Sequence, residues 1–283
     1  MTKFKDFLIK LWVYLSFAVV FFFVFKIFYF LISKGISSVN LEFLTQNPQG
    51  LPLGTTGGIK SSIIGSFWLM IIAMGFSTLL GVFCAIYRVF YCKSEFLKSV
   101  ITLIIQCIAS IPSIIIGMFV YGFFIVTLNI SKSLLTASIA LSLIVFPFVE
   151  VNIEKSIAEI NKNTIKDSFS LGIDKTYMIR KLVMPMISRN IITISLLAGS
   201  YAIGATAPLL LTGAVFMNNS VGLFKPVTAL PFHLHMLLSQ SIAIEKAYAT
   251  ALVLIMILII LHILAYMVLV FSGGKIVEHI TNK

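Results

Sequence analysis

Six long apolar runs constrain this chain more than any other feature. They lie at residues 8–32, 63–87, 100–128, 134–149, 190–211 and 248–271. A helix needs about 20 mainly apolar residues to cross a bilayer, and every one of its backbone polar groups is then paired internally. Composition bears on whether such runs are spans or buried core helices. Only 11% of residues are charged, against 59% hydrophobic. A soluble domain carries about 25% charge, so this chain has too little polar surface to face water all round. It reads as an all-α integral membrane protein with about six transmembrane helices.

The first run holds one internal charge, Lys26. It is too long for a signal-peptide core and lacks a small-residue cleavage site, so it reads as a retained anchor. The run at 100–128 would measure about 43 Å as one straight helix, more than the hydrocarbon core. Pro112 sits inside it and predicts a kink or a break. The run at 134–149 is short and is expected to end at Pro147 and Glu150.

Loop charge sets the orientation. With the N-terminus inside, fifteen Lys and Arg residues fall on the cytoplasmic side, Lys275 and Lys283 among them. Five fall outside: Lys34, Lys60, Lys132, Lys225 and Lys246. That bias places both termini in the cytoplasm. The net charge of +11 is spread between apolar runs and forms no patch with interleaved aromatics, which argues against nucleic acid. Cys84, Cys92 and Cys107 have no metal-ligand spacing with histidine and read as free thiols. The external loop at about 212–246 carries His233 and His235, which at i and i+2 do not share a helix face. His262 reads as a packed or interfacial histidine. The whole chain, 1–283, reads as one membrane domain.

The cytoplasmic loop at about 152–189 holds seven basic residues. Ile153, Ile157 and Ile160 recur at helical spacing and predict a short amphipathic helix. A second stretch carries Ile165, Phe169 and Leu171 among Lys166, Asp167 and Ser168, and Gly172 then permits a sharp turn. A third helix is expected over 175–183, ended by Pro185. Such a knob suits docking into a groove on a soluble partner.

Ser168, Phe169, Ser170, Leu171 and Gly172, followed by Met184 and Pro185, resemble the EAA loop of ABC-importer permeases. The Glu-Ala-Ala positions read Lys166, Asp167 and Ser168, with an acid one position late. More pieces are similar to the phosphate-specific (Pst-type) permease family. Gly57, Gly58, Ile59, Ile64, Gly65 and Ser66 resemble its approach to the second span. Gly81, Val82, Cys84, Ala85, Ile86 and Tyr87 resemble the end of that span. Ile111, Pro112, Ser113, Ile114 and Gly117 resemble its Val-Pro-Ser-Ile segment. Gly204, Thr206, Ala207, Pro208, Leu209, Leu210 and Thr212 resemble its Thr-Ala-Pro-Leu-Leu run. Where that family carries an Arg and a Glu in this run, Tyr201 and Ala205 stand here.

The resemblance implies a type I importer permease (MetI-like) fold in a bacterial cytoplasmic membrane. It implies translocation of inorganic phosphate, with molybdate, sulfate or an organic solute as the alternative cargo. The expected partners are a homologous second permease, a pair of ATPases and an extracytoplasmic phosphate-binding protein, besides membrane lipid. The coupling loop would act through Asp167, Ser168, Leu171, Gly172 and Pro185. The path candidates are Ser200, Tyr201, Gly204, Thr206, Pro208, Thr212, Pro112 and Ser113. No cofactor is expected on this chain: it has no Gly-x-x-x-x-Gly-Lys-Ser/Thr loop, so ATP and Mg belong to the partner ATPases. A membrane-embedded enzyme would need polar catalytic groups that the spans lack, and a stand-alone channel has no use for a docking loop.

Overall fold

The computed structural model describes residues 2–50, 54–216, 218, 221–241 and 243–271. Lys275 and Lys283, which contribute to the charge bias, lie outside the described residues. The helices in chain order are α1 (Thr2–Gly35), α2 (Leu41–Thr45), α3 (Lys60–Ile86), α4 (Glu95–Ser110), α5 (Ser113–Val120), α6 (Leu134–Ala158), α7 (Lys162–Ser170), α8 (Lys175–Met178), α9 (Met184–Gly204), α10 (Ala207–Thr212), α11 (Leu230–Ser239) and α12 (Ile244–Phe271). Wider π-type turns extend three of them, over Tyr87–Tyr91, Tyr121–Thr127 and Ile179–Val183. Among the described residues, five continuous helices are long and apolar enough to cross a membrane. The bent pair α4–α5 supplies a sixth crossing if counted as one span.

The body is built on α3 against α6. Along α3, Ala73, Ser77, Gly81 and Ala85 recur every four residues and are all buried. Small residues at that spacing let membrane helices approach closely. Opposite them α6 presents Ala137, Leu141, Val145, Val149 and Ile153, again every four residues and all buried. A Cβ on Gly81 would come within 2.7 Å of the Val149 side chain. The core continues through Ile179, Val183, Ile187 and Ala198 of the α8–α9 stretch. A second core joins Met70, Leu230, Ala249 and Val253 from α3, α11 and α12.

Local chemistry starts α6. The Ser133 hydroxyl accepts from the Thr136 amide, and the Thr136 hydroxyl accepts from the Ser133 amide at 3.0 Å. This reciprocal cap satisfies two donors that a helix start leaves orphaned. Pro147 does not end the helix as expected but lies buried inside it. Neighbouring helices tolerate such a proline within a membrane bundle. Ile153, Ile157 and Ile160 accordingly are not a separate surface helix. The first two prolong α6, and all three are buried in the main core. Pro185 likewise does not end a helix: it lies within the continuous stretch Lys175–Gly204, just past the wide turn Ile179–Val183.

On the external side β1 (Pro48–Gln49) and β2 (Thr56–Gly57) form a two-residue antiparallel hairpin. Gly57 has φ +70°, and its carbonyl accepts from Lys246 Nζ at 2.9 Å. A Cβ on Gly58 would fall 2.0 Å from the Phe43 carbonyl oxygen. The Gly57-Gly58 pair read from sequence thus seats α2 against the head of α3.

His233 of α11 is 2% exposed, stacks on Phe216 at 5.3 Å, and has no hydrogen-bond partner at Nδ1. His235 is exposed. Burial, reinforced by the nearby Lys246, pushes His233 down from 6.5 to about 4. The unfolded chain therefore takes up this proton first as the medium acidifies. Stability is expected to be full above pH 6.5 and to decline as pH falls toward 4, by about 3 kcal/mol in all. Thermal unfolding of wild type and His233→Phe at neutral and acid pH checks this: the variant should lose that part of the pH dependence.

α1 stands apart from the body. None of its most apolar stretch is buried. It meets α12 near its external end, where Phe30 packs edge-on against Tyr248 at 5.3 Å. A Cβ on Gly35 would lie 2.7 Å from the Tyr248 carbonyl.

Candidate functional site

Two helices are interrupted, and the segments that follow the interruptions are brought together. The first lies at Ile111–Pro112. Both residues are extended, with ψ 130° and 135°, and the chain changes direction by 103° between α4 and α5. The second lies at Ala205–Thr206, where α9 ends and α10 begins with Pro208 in its first turn. Proline disfavours helical backbone in the residue before it, which accounts for the extended Ile111 ahead of Pro112. At the second break Ala205 is extended, and Pro208, which has no N–H to donate, falls in the first turn of α10, where none is needed. α5 and α10 then cross. A Cβ on Gly117 would approach the Pro208 Cα to 2.8 Å. Two motif fragments some ninety residues apart in sequence are therefore one contact. Gly117→Ala is expected to cost about 1–3 kcal/mol through overpacking. Gly122→Ala, with open space at its Cβ, should unfold nearer to wild type in the same melting assay.

The predicted path residues divide into two groups. Pro208 and Thr212 are buried. Thr212 donates its hydroxyl to the Pro208 carbonyl at 2.8 Å, and its own carbonyl accepts from Thr136 Oγ1 at 2.7 Å. They anchor α10 to the head of α6. Gly204, Pro112 and Tyr201 are exposed, and Thr206 and Ser113 are half-buried. Among the described residues the Thr206 hydroxyl makes no hydrogen bond.

Tyr201, 62% exposed, and Ser200 belong to the wall of a cavity of about 830 Å³. Gln106 and Ala109 of α4, Pro147 and Asn152 of α6, and His262 of α12 share its lining with six larger apolar residues. Most of its polar groups are turned back on their own helices. Ser200 Oγ donates to the Leu197 carbonyl at 2.8 Å, Asn152 Nδ2 donates to the Phe148 carbonyl at 2.7 Å, and His262 Nδ1 lies 2.8 Å from the Leu258 carbonyl. Gln106 and Tyr201 keep their polar ends unpaired among the described residues. No Arg, Lys, Asp or Glu belongs to the lining.

At the cytoplasmic end, α7 and α8 form the expected knob. Gly172 has φ +70° and closes α7, while Ile173 N–H bonds back to the Ser168 carbonyl at 3.1 Å. Asp174 caps α8 by accepting from the Thr176 and Tyr177 amides. Ser168 is buried, and its hydroxyl donates to the Thr164 carbonyl. Asp167 and Pro185 are exposed, and Leu171 is 78% exposed. An apolar residue presented so fully beside a rigid turn is available to a partner.

One cluster is absent from the sequence reading. Arg88, just past α3, places Nη1 2.7 Å from both Glu150 and Glu154 of α6 and donates through Nη2 to Thr102 of α4 at 2.8 Å. The available signal is an acid pair at i and i+4, which shares one helix face.

The stretch 77–273 matches the family of the binding-protein-dependent transport system inner membrane component. The chain belongs to that family. This permease is 30% identical over 214 residues to a Methanocaldococcus jannaschii protein named "Probable phosphate transport system permease protein PstA", covering 73% of this chain and 74% of that one. It is 27% identical over 261 residues to the Pasteurella multocida phosphate transport system permease protein PstA, covering 90% and 92%. It is 25% identical over 221 residues to the probable ABC transporter permease protein YqgI of Bacillus subtilis, covering 74% of each. Among solved structures, a chain of the inward-facing MetNI methionine ABC transporter superposes with a TM-score of 0.55 at 19% identity, covering 78% of this permease and 94% of that chain. A chain of an amino acid ABC transporter crystallised with histidines gives 0.56 at 15% identity, covering 74% and 91%. The permease is thus a multi-pass inner-membrane protein with the fold of ABC importer permeases, a transport component rather than an enzyme.

Proposed function

We propose that this permease translocates inorganic phosphate inward across the cytoplasmic membrane. The observation that carries the reading is its similarity, over most of its length, to permeases named for phosphate transport. A homologous second permease encloses the path with it, and an external phosphate-binding protein delivers the anion. Two partner ATPases bind ATP and Mg. They engage the knob at Asp167, Leu171 and Gly172 and drive the helices between outward-open and inward-open packings, whose energies need differ by only a few kcal/mol. Residues 1–283 act as one permease domain, with 152–189 as its coupling segment and 212–246 as its external segment.

In this half of the path, recognition falls to polar groups at the helix breaks. Thr206 lies at one break and Ser113 opens the helix beyond the other; Tyr201 lines the cavity. Thr206→Val is expected to lower phosphate uptake about two- to tenfold, the value of one hydrogen bond. Cys107→Ala, on exposed α4, should leave it unchanged. Equal uptake in the two variants rules out a role for that hydroxyl.

Tyr201 and Ala205, where the resembled family carries Arg and Glu, favour a second reading: the same machine with another anion or solute. Radiolabelled phosphate uptake in cells deleted for this chain and complemented with it decides, with sulfate and molybdate as parallel substrates. Restored phosphate uptake supports the first reading. Restoration of another substrate alone replaces it.

A further inference from the structure

A second groove, of about 700 Å³, lies between the cytoplasmic halves of α3 and α9; its lower rim borders the coupling segment, and its apolar walls hold none of the path candidates. Its two walls carry Gly75, Leu79, Val82 and Phe83 from α3 and Met184 and Ile191 from α9. The faces differ from the Tyr201 face: Ile191 and Ser195 line this groove, while Leu197 and Tyr201 line the other cavity. The deep wall has been made apolar. Thr78 and Ser195, its two hydroxyls, bond to each other at 2.8 Å. Gly75 keeps the upper end open, since a Cβ there would meet nothing within 4 Å.

The lower end has the opposite character. Tyr91, Thr176 and Arg180 rim the groove. Lys175, just outside the lining, lies over the Tyr91 ring at 4.7 Å and donates to the Phe90 carbonyl. Arg180 is exposed and has no acid partner among the described residues. The adjacent acid, Asp174, is occupied by the amides of Thr176 and Tyr177. From Gly75 to Tyr91 the helix rises about 24 Å, which matches the length of an extended acyl chain. The basic loops place the cationic rim at the cytoplasmic surface, where anionic lipid headgroups lie.

We propose that this groove binds an anionic phospholipid, with an acyl chain along Gly75, Leu79 and Phe83 and its phosphate at Arg180. Arg180 is the headgroup donor, because a guanidinium meets phosphate with a fork of N–H groups. Lys175 supplies charge from its seat on Tyr91. The inference depends on membrane embedding and not on the cargo.

The test uses the permease purified with the proteins that accompany it and titrated with phosphatidylglycerol or phosphatidylcholine in mixed micelles. Bound lipid is counted by native mass spectrometry. Phosphatidylglycerol is expected to bind at least about tenfold tighter than phosphatidylcholine, and Arg180→Gln to remove about tenfold of that affinity. Gly75→Phe should displace the lipid even where Arg180 is intact. Inorganic phosphate at matched concentration should not compete, which separates this site from the transport path. Equal binding of the two lipids, or unaltered phosphatidylglycerol binding in both variants, overturns the proposal. So does a Gly75→Phe chain that loses its companion proteins with no change in lipid count, since the groove would then be a protein interface.

Discussion

Glu150→Ala is expected to destabilise the permease by about 3–5 kcal/mol, as removal of one partner from a buried ion pair does. Glu150 is 0% exposed, and the Arg88 side chain is 10% exposed. Taking away the carboxylate leaves a guanidinium among α3, α4 and α6 with one fewer anion and no water to replace it. Glu154, one-third exposed, remains as a partial counterion. Thermal unfolding in detergent should therefore rank Glu150→Ala well below Glu154→Ala, whose carboxylate is partly solvated and whose loss should cost about 1 kcal/mol. The double replacement Arg88→Met with Glu150→Leu should recover most of the loss, because an apolar pair of similar volume needs no compensating charge. A Glu150→Ala chain that unfolds with wild type would show that the pair is not desolvated in the membrane.

Gly172→Pro is expected to reduce uptake to background, at least about tenfold, at equal expression. Proline holds φ near −65°, and Gly172 sits at +70° with its N–H bonded to the Phe169 carbonyl. The substitution removes both the turn and the bond. Phe169 and Leu171 can then no longer be presented as they are. Gly172→Ala is the control. Space around the Cβ is empty, so the cost is backbone strain alone, about 1–2 kcal/mol. Its uptake should fall between wild type and Gly172→Pro. Full transport by the proline variant would mean that the knob does not couple to the ATPases.

Most of the helical framework is legible in the sequence because lipid imposes a simple rule: long apolar runs become helices. The break at Pro112 is legible for the same reason, since a straight helix there would be too long. Proline's local meaning is less legible. Pro147 and Pro185 carry the same steric fault, and neither ends its helix: one is buried within α6, and the other is exposed just past the wide turn that joins α8 to α9. What decides is whether neighbouring helices surround the freed carbonyl, which is tertiary information. The Ile153, Ile157 and Ile160 stripe has the right period, but the period does not say whether a groove on a partner or the chain's own core receives it. Arg88 and Glu150 are 62 residues apart, so their pairing is invisible in a single sequence. Among the path candidates, hydroxyl chemistry alone does not separate Thr206, unpaired at a break, from Thr212, spent on the Pro208 carbonyl.

The seclusion of α1 has a consequence for biogenesis. Its contact helix, α12, is the last long helix of the described chain. A ribosome delivers α1 first and α12 last. During all the synthesis between them, the N-terminal helix must persist in lipid without its neighbour from the same chain. A mostly apolar helix endures that wait, and the exposed Leu, Val, Ile and Phe surface from Phe7 to Ile32, interrupted by Lys10 and Lys26, provides one.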